Sequence, residues 1–412
     1  MPINQQLTDF KNQIKATIRR SSDHGFVSYS GCNRVCGEMM SVMQIAEDHA
    51  QAADYQQAFD IYIMVLVGAV KLISHADTSS GAAGDVIYGC ITEIDKICNA
   101  VHEEKQQHFF DTIIKNVKNK AFQEWSEQGY QLLKSAVYFV QNQKQAQKIY
   151  AVFSVLGTMY DGEDYPDKLL ITHGLIERLE GREAAEHYLM NNIHVPEIRI
   201  LVIENAMAAK NYLLAENLCT EALQQDTRGY FNKPAPWAYY LERLYTEMAN
   251  EEKREELIRF ILFHGDTSYF KKLKELYLQQ GIWSPKREVL WQELSKGVMP
   301  HAYASLLAQE GETSLLLDVV KQHIAFIMHY GKQLAEDYPQ ATYEIYEKYI
   351  LAEAQQATDR GKYKNVCRII KNLSDAGGKV NAMNMIEHLT EMYQRRPAMI
   401  DELAGVKKKI CQ

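Results

Sequence analysis

The stretch that decides the fold is residues 46–62, AEDHAQAADYQQAFDIY, in which a helix rich in small residues stops and a second helix begins. A short break separates the two halves, and Tyr55 is followed three residues later by Ala58. Small residues let two helices approach closely, and the tyrosine packs at the turn between them. The pattern predicts paired helices joined by a tight turn.

Similar stretches occur further along the chain. Residues 205–222, NAMAAKNYLLAENLCTEA, place Tyr212 and Ala215 in the same relation, and residues 360–369, RGKYKNVCRI, begin a third copy. Helix pairs of this kind resemble tetratricopeptide repeats, which stack into solenoids. The 34-residue signature does not return at a fixed period, however. We therefore expect a degenerate, TPR-like α-solenoid.

Helical periodicity dominates the remaining sequence. Leu241, Leu244, Tyr245 and Met248 follow the i, i+3, i+4, i+7 spacing of one helix face. The alternation typical of half-buried strands is nearly absent, and no Asn-Gly hairpin dipeptide occurs. The fold class is predicted to be all-α, with about twenty helical segments joined by short links.

Glycine and proline indicate where these helices begin and end. Gly281, Gly311 and the pair Gly377-Gly378 lie where periodic segments stop. Ser284-Pro285 predicts a helix start, with serine as the N-cap and proline at the first helical position. The most irregular stretch, residues 226–237 (DTRGYFNKPAPW), is too short for a flexible linker. We expect one α-solenoid over residues 1–412, with a possible bend or junction at 226–237.

Composition places the chain among soluble proteins of a reducing compartment. The 412 residues carry a net charge of −8, and the seven cysteines are an odd, scattered set that argues against a disulfide framework. Residues 1–20 contain no apolar central stretch typical of a signal peptide. The most apolar run, residues 61–70, is about half the length that spans a bilayer. We expect a cytoplasmic protein with no membrane contact.

No catalytic, cofactor or metal site is predicted. Cys32 and Cys36 are the one close cysteine pair, but a structural zinc site needs a second Cys or His pair at similar spacing. They are predicted to be buried core residues, as are Cys90 and Cys98. The glycines of Gly81-Ala-Ala-Gly84 are interpreted as a helix connection. The chain is therefore not expected to be an enzyme, although an unrecognised site remains an alternative.

One basic stretch could bind an anionic partner. Residues 253–287 carry eight Lys or Arg residues interleaved with aromatic ones, which suits phosphate backbones or an acidic peptide. The candidate partner-binding residues are Arg259, Tyr269, Lys271, Lys272 and Lys274. Six acidic residues, at 251, 252, 255, 256, 266 and 275, lie within the stretch or directly before it, so an ordinary mixed helix surface is the competing interpretation. The run Lys407-Lys408-Lys409 is interpreted as a solvated tail at a helix C-terminus.

Tyrosine is unusually abundant, with 25 residues. Many tyrosines are expected to pack between helices with their hydroxyls at the rim, and others could line a recognition surface. The sequence does not separate the two groups.

Several short motifs resemble the helical region of bacterial SWIM zinc finger proteins. They are residues 194–199 (HVPEIR), 269–274 (YFKKLK), 283–287 (WSPKR) and 393–403 (YQRRPAMIDEL). The resemblance implies a helical-repeat scaffold. The SWIM module itself carries Cys-x-Cys and a later His-x-His, and this chain has neither pair. Its zinc binding, and the DNA-binding or protein-binding role proposed for it, therefore do not carry over.

The sequence thus favours a non-enzymatic scaffold that binds a protein or peptide in a concave groove, as stacked helix pairs commonly do. The alternative is a nucleic-acid-associated helper that uses the basic stretch.

Overall fold

Helix follows helix through nearly all of the described chain. The structure, a computed structural model, describes residues 3–101, 106–226 and 233–411. Its contacts divide the chain into two compact units, Met1–Ala209 and Lys210–Gln412. The all-α prediction is confirmed.

The first unit contains eleven α-helices within its described residues. They are α1 (Ile3–Ser21), α2 (Tyr29–Gln51), α3 (Tyr55–Ile73), α4 (Ala82–Ala100), α5 (Gln106–Asn116), α6 (Lys120–Glu124), α7 (Ser126–Lys134), α8 (Gln143–Leu156), α9 (Pro166–Glu180), α10 (Arg182–Asn191) and α11 (Pro196–Ala208). A 3-10 helix, Ser135–Phe139, follows α7. Helices α1 to α9 share one core that extends from Ile14 to Leu175.

Helix α3 lies at the centre of this core and packs against both α2 and α4. By length and composition it is apolar enough to cross a membrane, because the helix continues beyond the run at 61–70 on both sides. Most of its apolar side chains, among them Phe59, Ile61 and Leu66, are buried by neighbouring helices. A central core helix has the same composition as a membrane span, and the packing explains why α3 is so apolar.

A small hairpin missed by the sequence joins α1 to α2. Strands β1 (Ser22–Asp23) and β2 (Phe26–Val27) pair antiparallel around His24 and Gly25, whose φ angles are 47° and 88°. Two consecutive residues at positive φ are what a two-residue type I′ turn requires. The His-Gly dipeptide was not recognised as a hairpin signal because Asn or Asp usually occupies the first position.

The second unit contains twelve α-helices among the residues that the structure describes. They are α12 (Tyr212–Gln225), α13 (Pro236–Glu247), α14 (Glu251–Phe263), α15 (Tyr269–Gln279), α16 (Trp283–Gly297), α17 (Pro300–Glu310), α18 (Thr313–Gln322), α19 (Ile327–Asp337), α20 (Pro339–Gln356), α21 (Arg360–Asp375), α22 (Lys379–Met392) and α23 (Pro397–Cys411).

Each helix of this unit packs against the next one in the chain. Near the end, helices also pack against the next but one, as α19 does with α21, α20 with α22, and α21 with α23. Contacts limited to near neighbours in the chain are the defining property of a helical-repeat array. Within this unit the packing is that of an α-solenoid, as the repeated motifs predict.

The same hydrogen-bonded turn joins several helix pairs. Between α13 and α14, Ala249 has φ 52° and the Asn250 amide donates to the Tyr245 carbonyl at 3.0 Å. The Glu312 amide makes the equivalent bond to the Leu307 carbonyl after α17. This is the bond of a Schellman turn, which satisfies carbonyls left free at a helix end and requires a left-handed residue. At the α2–α3 turn, that left-handed residue is Ala53, with φ 58°.

Helix α16 begins earlier than predicted. Its first residue is Trp283, so Pro285 occupies the third helical position and Ser284 is not the N-cap. Proline is tolerated there because the amides of the first turn have no partner inside the helix. Proline does start α11, α17 and α20, at Pro196, Pro300 and Pro339.

Tyrosine hydroxyls link neighbouring helices, as predicted for the packing group. Buried Tyr130 donates to the Gly157 carbonyl at 2.8 Å, and buried Tyr346 donates to the Ile327 carbonyl at 3.2 Å. Each ring supplies apolar contact while its hydroxyl reaches a partner on another element.

The predicted junction at 226–237 falls inside the second unit, and residues 227–232 lie outside the described residues. A bend at this place, and one solenoid over residues 1–412, stay predictions.

The left-handed turn residues give a first testable expectation. Replacing Ala53 with glycine should raise the free energy of unfolding of the first unit by about 0.5–1 kcal/mol, because glycine adopts positive φ without a Cβ clash. The matched control is Ala52→Gly, at a residue with φ −81°. That change should lower stability by about 0.5–1 kcal/mol, since glycine loses more entropy on folding. Urea titration followed by circular dichroism measures both, and equal effects would contradict the turn geometry.

Candidate functional site

The predicted partner-binding residues lie on two adjacent helices of the second unit. Arg259 is on α14, and Tyr269, Lys271, Lys272 and Lys274 are on α15. The structure therefore brings them to neighbouring helices, as a shared surface would need. Their surroundings decide how much of their charge is available to a partner.

Each of the four cations has a carboxylate beside it. The Arg259 guanidinium lies 2.7 Å from Glu293, and Lys274 forms an ion pair with Glu310. Lys271 is paired only with Glu275, at 3.9 Å, and its side chain is 83% exposed. An exposed pair at such a distance contributes little. Lys271 is thus the candidate whose charge is most available to solvent.

Lys272 belongs to a buried network around Glu242 of α13. The Glu242 side chain is only 9% exposed, and its carboxylate accepts from Lys272 at 3.0 Å and from Arg254 at 3.3 Å. The Tyr269 hydroxyl lies 3.5 Å from the same carboxylate. Burial opposes the charge on Lys272, but the hydrogen bonds to Glu242 and Tyr269 outweigh it and raise the pKa of this ammonium. The network holds α13 and α15 together.

A groove lies further along the second unit, between α16, α17 and α18. Its volume is about 630 Å³. The residues that line it are Arg287, Glu288, Trp291, Gln292, Ser295, Pro300, Tyr303, Glu312, Leu315, Asp318, Val319, Gln322 and His323. Most of these side chains are exposed, whereas Trp291 and Tyr303 are buried and form its aromatic wall. The groove combines apolar surface with polar groups, as binding sites commonly do.

Glu312 fixes the polar side of this groove. Its carboxylate accepts from the Arg287 guanidinium at 2.9 Å and from the Trp291 indole at 3.1 Å. Trp291 also stacks on Phe270, with ring centroids 4.9 Å apart. The hydrogen bond to Glu312 and the stacking on Phe270 together fix the position of the Trp291 ring. The sequence gives no signal for this groove, because its residues come from three helices with no common motif.

A smaller pocket of about 370 Å³ lies in the first unit, beside the N-terminal end of α4. Gly81 is the N-cap of α4, with φ 83°, and residues 82–84 form the first turn of that helix. Only Gly81 of the predicted helix connection therefore lies outside the helix. Exposed Tyr88 and Trp125 line the pocket, and the Trp125 indole donates to the Ser74 hydroxyl at 2.8 Å.

The four cysteines that were predicted to be core residues are buried. Cys32 and Cys36 are buried with their sulfurs 4.0 Å apart, and Cys90 and Cys98 are buried on α4. Burial raises the pKa of the Cys36 thiol to about 12, with a further contribution from Cys32. Across residues 3–101, 106–226 and 233–411, no three His, Cys, Asp or Glu side chains lie close enough to hold a metal ion.

Comparison with known proteins gives only distant likenesses. One solved structure is a circular tandem repeat protein with a novel repeat topology; it is 14% identical, covers 99% of this chain and 96% of its own, and has a TM-score of 0.25. Another is the P58(IPK) TPR domain, with 10% identity, 90% and 98% coverage and a TM-score of 0.22. These scores are too low to carry an argument, so the fold rests on the helix packing described above. No protein-family model and no curated protein matches the chain.

The buried thiols lead to a second expectation. Six of the seven cysteines are buried, and Cys411 is exposed. The folded protein should therefore show one thiol that reacts quickly with Ellman's reagent, and Cys411→Ser should remove it. Guanidinium chloride should release all seven thiols as a control. Two or more fast thiols in the native protein would contradict the packing.

The Glu242 network gives a third expectation. Lys272→Glu should lower the free energy of unfolding of the second unit by about 1–3 kcal/mol, because it places a second carboxylate beside a buried one. Lys271→Glu is the matched control, and it should change stability by less than about 0.5 kcal/mol. Thermal and urea unfolding measure both variants. Equal stability of the two would show that Glu242 does not organise this surface.

Proposed function

We propose that the chain is a non-enzymatic helical-repeat scaffold that binds a segment of a partner protein in the groove between α16, α17 and α18. One observation carries the proposal: a groove of about 630 Å³ with an aromatic wall and an exposed leucine, Leu315. The volume falls within the range of about 300–1,000 Å³ that is usual for ligand sites.

The composition of the groove suits a peptide with an apolar anchor. Leu315 is 36% exposed, so a partner side chain can bury it further and gain hydrophobic free energy. Arg287 and Glu312 already satisfy each other, so the polar side requires no charged ligand to be stable. Backbone groups of a bound peptide can instead meet neutral side chains such as Gln292 and Gln322.

The alternative, a nucleic-acid-associated helper, has less support from the geometry. Of the predicted basic residues, Lys272 and Lys274 are committed to Glu242 and Glu310, and Arg259 to Glu293. Phosphate contacts would have to displace these carboxylates, and each displacement costs the ion pair that it breaks. A relation to SWIM zinc finger proteins remains a prediction that rests on the short motifs alone.

A reducing compartment, the cytoplasm, is part of the proposal. The support is that all seven cysteines are free thiols and that six of them are buried. Such thiols persist where glutathione keeps cysteines reduced.

The groove is tested by affinity capture with the purified full chain, with and without nuclease, read by mass spectrometry. Leu315→Arg should reduce recovery of a bound protein by at least about tenfold, which corresponds to about 1.4 kcal/mol. The matched control is Leu351→Arg on α20, because Leu351 is also 36% exposed and lies outside the groove. Partners lost equally with both variants would place the site elsewhere. Partners lost on nuclease treatment would favour the alternative.

A further inference from the structure

A second cleft in the same unit has a different character. It lies between α21 and α23, has a volume of about 460 Å³, and is called the α21–α23 cleft below. Its lining residues are Lys364, Cys367, Arg368, Lys371, Glu402, Gly405, Val406 and Lys409. Four of these side chains are cationic and one is acidic. Lys409 belongs to the terminal lysine run; its side chain is exposed, as expected of a solvated tail, and it also lines this cleft.

Most of the positive charge in the cleft is uncompensated. Lys371 pairs with Asp375 at 2.7 Å, but the Arg368 guanidinium donates only to the neutral Asn365 side chain, at 2.8 Å. Within the part of the chain that the structure describes, no carboxylate lies within 4.0 Å of Lys364, Arg368 or Lys409. This contrasts with the basic stretch on α14 and α15, where every candidate cation has a carboxylate partner.

The one carboxylate in the cleft is paired with a cation that lies outside the cleft lining. Glu402 accepts from the Arg360 guanidinium at 3.0 Å, and Arg360 is not a lining residue. Arg360 also pairs with Asp401. Arg360 shares its single charge between these two carboxylates, so Glu402 still offsets part of the lining charge. Four lining cations against one carboxylate nevertheless leave a net positive site on a chain whose overall charge is −8. A localised field of this kind attracts an anionic group.

The arrangement of the cations is linear. Lys364, Arg368 and Lys371 are spaced i, i+4, i+7 on α21, which places them on one face at axial steps of about 6 Å and about 4.5 Å. An extended peptide places every second side chain on the same side, about 6.6 Å apart. Alternate carboxylates of such a peptide thus match the first of these steps, and arginine can bind a carboxylate through two parallel hydrogen bonds.

The residues that line the cleft favour a peptide over a nucleic acid as its ligand. No aromatic side chain lines it, so bases would find no stacking platform. Cys367 and Val406 offer small apolar surfaces, and Gly405 leaves open space because a Cβ built there meets nothing within 4 Å. A cleft that has a row of cations and no aromatic lining suits an extended acidic chain.

We infer that the α21–α23 cleft binds an acidic segment of a partner protein, in which Asp or Glu occupies alternate positions. This site is separate from the groove between α16, α17 and α18. The binding proposal for one site can therefore be refuted while the proposal for the other still holds. Carboxylate contacts to Arg368 and Lys409 provide the affinity, and the aliphatic walls hold the extended backbone.

The test is fluorescence anisotropy with the full chain and a labelled peptide of alternating Glu and Ser. The double variant Lys364→Gln, Arg368→Gln should weaken binding by at least tenfold. Lys379→Gln, Lys408→Gln removes the same charge outside the cleft and should change binding by less than twofold. Gly405→Met should also weaken binding by at least tenfold, because the methionine side chain fills the open space. The variant should still fold, since methionine favours a helix more than glycine does.

Three outcomes would overturn the inference. The acidic peptide could fail to bind more tightly than an alternating Lys and Ser peptide. The cleft variants could bind it as well as the wild type does. A single-stranded oligonucleotide of equal charge could bind more tightly than the peptide and be lost in the same variants, which would assign the cleft to phosphate backbones.

Discussion

The fold depends on the fact that its helices are not stable in isolation. Most helices of the second unit have 10–16 residues, and helices of this length are marginal in water without tertiary contacts. Each must therefore bury its apolar face against a neighbour, as α21 does with Val366, Ile370 and Leu373. Because short turns hold successive helices close together, the nearest available surface is the next helix in the chain. Packing against near neighbours follows from this constraint, and the grooves between helices are its by-product.

The apolar stripes made the helices predictable, and glycine made some of their ends predictable. Gly281, Gly311 and Gly377 have positive φ at places where the periodicity stops. Ala53 and Ala249 adopt the same left-handed conformation, but nothing in their residue type indicates it, since a Cβ disfavours positive φ. Those turns are held by the packing of the helices on either side. The presence of a helix is therefore predicted more reliably from the sequence than the residue at which that helix ends.

Charge was the least predictable property. A lysine in the sequence is a cation, but whether it is available depends on carboxylates that lie one or two helices away. Lys272 meets Glu242, 30 residues earlier, and Lys274 meets Glu310, 36 residues later. The opposite situation occurs near the C-terminal end of the described chain, where Lys409 and Arg368 are 41 positions apart in the sequence but line one cleft. Only the packing of α21 on α23 brings those two cations together.

The exposed thiol at the end of α23 has a practical consequence. Cys411 is two residues from Lys409, on a helix that contributes one wall of the α21–α23 cleft. A maleimide dye or a spin label would attach there without any engineered residue, because the other six thiols are inside the protein. The natural chain thus carries its own attachment point for a spectroscopic reporter next to the cleft, and distance measurements from this position can follow occupancy in solution.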